Sequence, residues 1–246
     1  MAIPKIECIV PQWPAPDRVR ACTTTRTGGV SRGPWQGLNL AGHVDDDPAA
    51  VAENRARLAV QLALPGDPRW LDQVHGTRVC RPGGEAGPAD ACFEDRPGHV
   101  CAVLTADCLP VLLCNAAATR VAAAHAGWRG LLAGVLEHAV AAFDDAPGEL
   151  MAWLGPAIGP SAFEVGDEVR AAFLAEDPAD SLHFQAHGEG HWLADLYGLA
   201  RARLARLGIT MVSGGDLCTF SDPARFFSYR RDGITGRMAS LIWLQP

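Results

Sequence analysis

A chain of 246 residues, 48% hydrophobic and 20% charged, is long and apolar enough to bury a sizeable core, which excludes a disordered protein. Its net charge of −7 and pI near 5.6 exclude an extended nucleic-acid surface, which needs a basic field, and leave room only for a local patch holding one small anion. No apolar run reaches the length of a bilayer-crossing helix and the start MAIPKIECIV lacks the parts of a secretory signal, so the expected compartment is the cytoplasm, with no membrane partner.

Asp47-Pro48 predicts a helix start, with Asp capping the free amides and Pro taking the first helical position. That helix is expected to run through AAVAENRARLAVQLAL and stop at the breaker pair Pro65-Gly66. Val100 to Thr105 and Val111 to Cys114 read as buried strands, NAAAT as a turn, and Arg120 to Ala124 as a further strand. His125 to Gly130 reads as a strand-to-helix loop ahead of a helix over Leu131 to Phe143. Strand is expected again from Glu149 to Leu154, then the stiff loop GPAIGP, a helix from about Gly166 and another from Leu193 to Leu207 that ends at Gly208. The C-terminal FFSYRRDGITGRMASLIWL reads as two strands around an Asp-Gly turn. Helices and strands mix without strict alternation, which points to an α+β fold with mixed sheets rather than a doubly wound one, as a single domain over residues 1–246.

The eight cysteines contain no C-x-x-C pair, which excludes a zinc ribbon or thioredoxin-type motif, and in a reducing compartment most are expected as buried free thiols. In TADCLPVLLCNAAATRVAAAHAGWRG, Cys108 lies beside one apolar run and His125 ends another. Such a pair is half a metal site or a nucleophile with its base; taken singly, each also fits a packed thiol or a backbone-satisfied imidazole. His75, in DQVHGT, would by itself be a turn histidine. Together the three give a His, Cys, His set that suits zinc or copper with one position open, although their spacing does not establish a site.

His183, His187 and His191 stand four apart, but Gly188 and Gly190 oppose a helical metal face, and HGEGH reads as an exposed turn. Within Asp45, Asp46 and Asp47, the capping role of Asp47 covers the simplest part of the cluster. Arg26 beside Gly28-Gly29 and Arg230-Arg231 near Gly233 are basic residues on flexible backbone, read either as phosphate clamps or as ordinary surface arginines. There is no Walker loop, dinucleotide fingerprint or G-x-S-x-G.

TTRTGGVS, LNLAGHVDDDPAAVAENR, QVHG, TADCLPVLL, HAGWRG, GPAIGP and FFSYRRDGITGRM occur in this order along nearly the whole chain. The chain thereby resembles the YfiH, or laccase-domain (polyphenol-oxidase-type), family of purine nucleoside phosphorylases. The resemblance implies a four-layer α/β/β/α fold related to the catalytic domain of cytotoxic necrotizing factors. It also implies one metal, zinc or alternatively copper, on His75, Cys108 and His125, and phosphorolysis of adenosine, inosine or methylthioadenosine with adenosine deamination alongside. One departure is Glu94-Asp95, where a threonine and a small polar residue are expected in a substrate-contacting loop.

A three-ligand zinc can activate water near neutral pH, which accounts for deamination at the purine C6. Phosphorolysis needs an anion held below the sugar C1′; Arg26, Arg230 and Arg231, with Asn39 from the LNLAGH motif, are the candidates for phosphate and substrate. Asp107 is a candidate acid or base, or else a structural hydrogen-bonding partner. Two other chemistries compete: a cysteine hydrolase with Cys108 as nucleophile and His125 as base, acting on an amide such as a peptidoglycan precursor, and a multicopper oxidase. None of the eight histidines forms the His-x-His pairs that several coppers need. A non-catalytic binding module would instead tolerate loss of Cys108 and His125. The nucleoside preferred, the native metal and the oligomeric state are not legible.

Overall fold

The apolar runs around Cys108 lack the in–out alternation of a half-exposed strand because both faces of those strands are covered. The computed structural model describes residues 5–84 and 87–245, so residues 1–4 of the N-terminal stretch lie outside it. The chain opens with β1 (Cys8–Ile9) and β2 (Val19–Thr24), then α1 (Pro48–Leu62), β3 (Pro68–Arg69), β4 (Val79–Cys80) and β5 (Ala91–Glu94). The centre is β6 (Val100–Thr105), β7 (Leu109–Asn115) and β8 (Val121–Ala126), followed by α2 (Trp128–Ala133), α3 (Val135–Val140) and β9 (Leu150–Leu154). After β10 (Glu164–Gly166), α4 (Asp167–Glu176), β11 (Phe184–Ala186) and β12 (His191–Ala194) come α5 (Leu196–Arg206), β13 (Met211–Gly214), α6 (Tyr229–Asp232) and β14 (Met238–Leu244).

One sheet has the order β1-β2-β14-β6-β3 and the other β13-β9-β7-β8-β5-β4, with a small three-stranded sheet β10-β12-β11 at the side. Both large sheets are mixed: β3–β6, β4–β5 and β9–β13 are parallel pairs among antiparallel ones. Successive side chains on a strand point to opposite faces. Cys101, Val103 and Ile242 of the first sheet therefore meet Cys92, Leu112, Val121 and Trp153 of the second. The alternate set on β6 and β14, including Ala102, Leu104 and Leu241, packs under Leu58 of α1 and under Leu38 and Leu40. On the far side, Val111, Leu113, Ala122 and Ala124 carry α2, α3 and α5 through Leu131, Leu136 and Leu204. The alanines of β8 keep that face flat, so helices sit directly on it. The layers run helix, sheet, sheet, helix, and the α+β expectation with mixed sheets holds. Among the described residues no helix is long and apolar enough to cross a membrane.

The α1 start matches its signal: the Asp47 carboxylate accepts from the Ala49 N–H at 2.9 Å, and Pro48 is the first helical residue. The helix ends before Pro65, because Ala63 takes the left-handed conformation (φ 47°) and closes the last turn. Four other expectations need correction. His125 belongs to β8, leaving Gly127 as the entire junction to α2. The helix expected over Leu131 to Phe143 is two short ones, broken at Gly134 with φ 97°. Leu193 and Ala194 pair in β12 before Asp195 caps α5 through the Gly198 N–H. The C-terminal hairpin does not form: β14 is a strand, but Tyr229–Asp232 is a helical turn. Ser228 Oγ caps that turn at the Arg231 N–H, Asp107 Oδ2 accepts from the Arg230 N–H at 2.7 Å, and Gly233 (φ 69°) ends it.

Candidate metal centre

Adjacent strands bring the cysteine and one histidine to the same sheet end. Leu109 of β7 pairs with Ala126 of β8, and Pro110 pairs with His125; Cys108 immediately precedes β7. His75 comes from the loop between β3 and β4, held at φ 60°. Its Nε2 lies 3.8 Å from Cys108 Sγ, and one donor atom from each of His75, Cys108 and His125 falls within 4.8 Å of the others. The two imidazole rings meet edge to face, 4.8 Å between centroids.

One buried carboxylate organises both histidines. Asp90, just before β5, takes His125 Nδ1 at 2.8 Å and the N–H groups of Val74, His75 and Gly76 at 3.1, 2.9 and 2.7 Å. These bonds hold the strained loop conformation at His75, a left-handed φ that a residue with a side chain adopts only under constraint. They also leave Nε2 of His125 as the nitrogen free to bind a metal. Burial alone would push the Asp90 carboxyl up, but the hydrogen bonds from His125 and the Gly76 N–H outweigh it and hold it below the ordinary aspartate value.

The same competition sets Cys108. Burial pushes its thiol up, yet the His125 charge and hydrogen bonds to His125 and His75 bring it down to about 6. For His125, burial favours the neutral ring, while the Cys108 charge and Asp90 raise it to about 9. Without a metal the pair is thiolate beside imidazolium near neutral pH. Gly127 makes the space: a Cβ there would stand 2.8 Å from Cys108 Sγ and 3.2 Å from His75 Cδ2. A soft sulfur, two imidazoles and a carboxylate behind one of them fit zinc or copper.

The triad forms part of the wall of a cavity of about 500 Å³. Three arginines line it, each over an aromatic ring: Arg129 over Trp128 at 4.3 Å, Arg230 over Phe163 at 5.5 Å and Arg237 over Tyr229 at 5.8 Å. Among the described residues none of the three is salt-bridged to a carboxylate. Arg237 Nη1 is steered by the Thr235 and Gly236 carbonyls, and burial holds its guanidinium below the usual value. His43 also lines the cavity; burial and Arg237 lower it, which keeps its ring neutral at pH 7.

Of the sequence candidates, the structure brings His75, Cys108, His125, Asp107 and Arg230 to this cavity. Arg26, Arg231 and Asn39 are not among its lining residues. Arg231 gives its guanidinium to the carbonyls of Thr219, Phe220 and Phe226 and to Asp232, and Arg26 reaches the Pro223 and Gln36 carbonyls. Asn39 is fully buried and bonds to Ala41, Asp46 and the Arg237 N–H. Both carboxylate oxygens of Asp107 are taken, by Thr219 Oγ1, Ser228 Oγ and the Arg230 N–H, which favours the structural one of its two roles.

Glu94 lies buried in β5, bonded to the Asp95 and Arg96 N–H groups, and does not line the cavity. HGEGH is an exposed turn, with His187 and His191 3.5 and 3.4 Å from Glu164. Sequence reasoning missed Asp90, His43, Arg129 and Arg237. Arg129 stood inside HAGWRG and His43 inside LNLAGH, where a chemical reading of each motif would have found them. Asp90 had no local signal.

Residues 20–245 match the family model described as multi-copper polyphenol oxidoreductase laccase. The chain is 58% identical over 239 residues to the Escherichia coli protein named purine nucleoside phosphorylase YfiH, covering 96% of this chain and 98% of that one. A Pseudomonas aeruginosa purine nucleoside phosphorylase is 57% identical over 243 residues, again covering 96% and 98%. Among solved structures, the Neisseria meningitidis protein NMB0706 superposes with a TM-score of 0.93 at 51% identity, covering 97% of this chain and 99% of that one. YlmD from Geobacillus stearothermophilus does so at 0.88 and 33%, covering 94% and 93%. With sequence and fold matched over nearly the full chain, the protein belongs to the laccase-domain family that includes YfiH.

Proposed function

We propose that the protein is a metal-dependent purine nucleoside phosphorylase, converting adenosine, inosine or methylthioadenosine and phosphate to free base and sugar 1-phosphate, with adenosine deamination as a second activity. The observation that carries this reading is one cavity joining the His75–Cys108–His125 triad to three arginines that, among the described residues, pair with no carboxylate. Relatives at 57–58% identity that are named purine nucleoside phosphorylases support it.

Zinc on His75, Cys108 and His125, when bound, supplies a Lewis acid. The remaining work falls to side chains. Asp90 fixes the orientation of His125 and the course of the loop carrying His75. Arg129, Arg230 and Arg237 present guanidinium groups for a phosphate, and their aromatic supports hold the charges in place before it arrives. Asp107 fixes the backbone of Arg230. His43, with a neutral ring, can donate or accept a hydrogen bond to the nucleoside.

The test is release of adenine and ribose 1-phosphate from adenosine, dependent on phosphate, lost on chelation or in His75→Ala and restored to the wild type by zinc. Metal-loaded protein that frees no base from any of the three nucleosides overturns the reading; ammonia release reports the deaminase separately. A second reading rests on Cys108 beside His125 and Asp90, the parts of a cysteine hydrolase acting on an amide. It requires activity that survives chelation and a covalent adduct on Cys108. The family description also names multicopper chemistry, but one three-donor group among the described residues cannot assemble several coppers. Metal analysis finding more than one copper per chain would reopen it.

A further inference from the structure

Away from the metal centre, four side chains close a ring where the two large sheets meet. β5 and β6 follow one another in the chain but belong to different sheets, so residues 95–99 turn a corner that draws the inner faces together. Across it, Cys101 Sγ lies 2.9 Å from Cys92 Sγ, both buried. Cys92 is the register partner of Cys80 in the parallel β4–β5 pair, which puts both thiols on one face of neighbouring strands. Arg69 is likewise the register partner of Cys101, and its Nη1 donates to Cys80 Sγ at 3.2 Å, crossing back to the other sheet. Cys80 is half-buried, so the ring has one member within reach of solvent. None of these groups serves the cavity.

We propose that Cys92 and Cys101 are an oxidisable dithiol, a modification site that closes to a disulfide between the sheets, with Cys80 as its entrance and a peroxide as co-reactant. The sulfur atoms need less than about 1 Å of closure to reach bonding distance. Burial pushes the Cys101 thiol well up, so that thiol is inert towards a peroxide directly. Oxidation therefore enters at Cys80, the half-buried member of the ring, whose Sγ already accepts a hydrogen bond from Arg69 Nη1.

The Cys80 thiolate attacks one peroxide oxygen, the O–O bond breaks, and Cys80 sulfenic acid and hydroxide form. The Cys92 sulfur displaces the sulfenic hydroxyl, which leaves as water with the Cys92 proton. Cys101 then attacks Cys92 Sγ, the Cys80–Cys92 bond breaks, and the Cys101 proton passes to Cys80, from which the hydroxide of the first step takes it as the second water. In sum, two thiols and one hydrogen peroxide give one disulfide and two waters. The bond would tie the strand following Asp90 to the strand leading to Cys108.

The experiment exposes the reduced, metal-loaded protein to about one equivalent of hydrogen peroxide, then unfolds it in excess alkylating agent. Chymotrypsin, cutting after Phe93, separates the two cysteines for mass spectrometry. The expected result is Cys92 and Cys101 peptides joined and two hydrogens lighter, absent in Cys92→Ser and in Cys101→Ala. Cys80→Ser should slow the linkage about tenfold or more, and dimedone should trap Cys80 sulfenic acid in the wild type, a readout independent of how that variant folds. Cys92 and Cys101 both still alkylated while Cys108 is oxidised would overturn the proposal. Linkage at the wild-type rate in Cys80→Ser, or trapping only at Cys108, would overturn the entrance.

Discussion

Asp90 Oδ1 accepts from His125 Nδ1 at 2.8 Å and also from the backbone N–H of His75 at 2.9 Å. A single oxygen thus ties together the two histidines of the triad, which come from different parts of the chain. Asp90→Asn keeps the shape but removes the charge and places an N–H₂ where an acceptor stood. Metal affinity, measured by chelator competition, should fall about 10–100-fold, the usual cost of losing a carboxylate behind a metal-bound histidine. Unchanged affinity would separate Asp90 from the metal centre.

Gly127 has ordinary backbone angles (φ −60°, ψ 158°), so alanine meets no conformational penalty there. The obstacle is the added methyl, 2.8 Å from Cys108 Sγ and 3.2 Å from His75 Cδ2. Gly127→Ala should abolish metal uptake while costing about 1–3 kcal/mol of stability through overpacking. The measurements are metal content and urea denaturation on the same preparation. Full metal content in the variant would show that the triad can spread without loss.

What the sequence made legible was local. Asp47-Pro48 announced α1 because a cap and its helix are neighbours in the chain. Cys108 and His125 were findable because β7 and β8 form a hairpin that brings its ends together. Several of the misses share one cause, a distant partner. Residues 229–232 carry strand-like signals until Asp107, from another part of the chain, caps them into a helical turn. The arginines that face the cavity are likewise chosen by the packing of Trp128, Phe163 and Tyr229, not by composition. Arg231 shares the same basic dipeptide as Arg230 but turns inwards to three carbonyls.

In the metal-free protein Cys108 should behave as a reactive thiolate. With its acidity near 6, the alkylation rate by iodoacetamide should rise with pH through about 6 and level off, where an ordinary thiol rises near 8.5. The sign follows from the thiolate being the nucleophile: raising the pH removes the proton and speeds the reaction. His125→Ala takes away the imidazolium and should move the midpoint upward. A midpoint that stays near 6 in that variant would assign the shift to another group. Added zinc should protect Cys108 across the range.

The arginines divide into two experiments with opposite outcomes. Arg237 lines the cavity, pairs with no carboxylate among the described residues and is held over Tyr229, so its charge is ready for an anion. A hydrogen bond to a charged group is worth about 1.5–3 kcal/mol, which is roughly 10–150-fold in affinity. Arg237→Met should therefore raise the KM for phosphate by about that factor, with a stability cost confined to the two bonds to the Thr235 and Gly236 carbonyls, which lie within two residues of Arg237 itself. Arg231→Met should do the reverse. It orphans the carbonyls of Thr219, Phe220 and Phe226, at a cost of about 1–3 kcal/mol in stability, while the KM for phosphate stays put. Steady-state kinetics at varied phosphate, alongside thermal melts of both variants, decide the matter. Equal effects of the two substitutions on KM would mean that the cavity arginines act through net charge alone, because only a specific anion site distinguishes neighbours in the chain by where their side chains point.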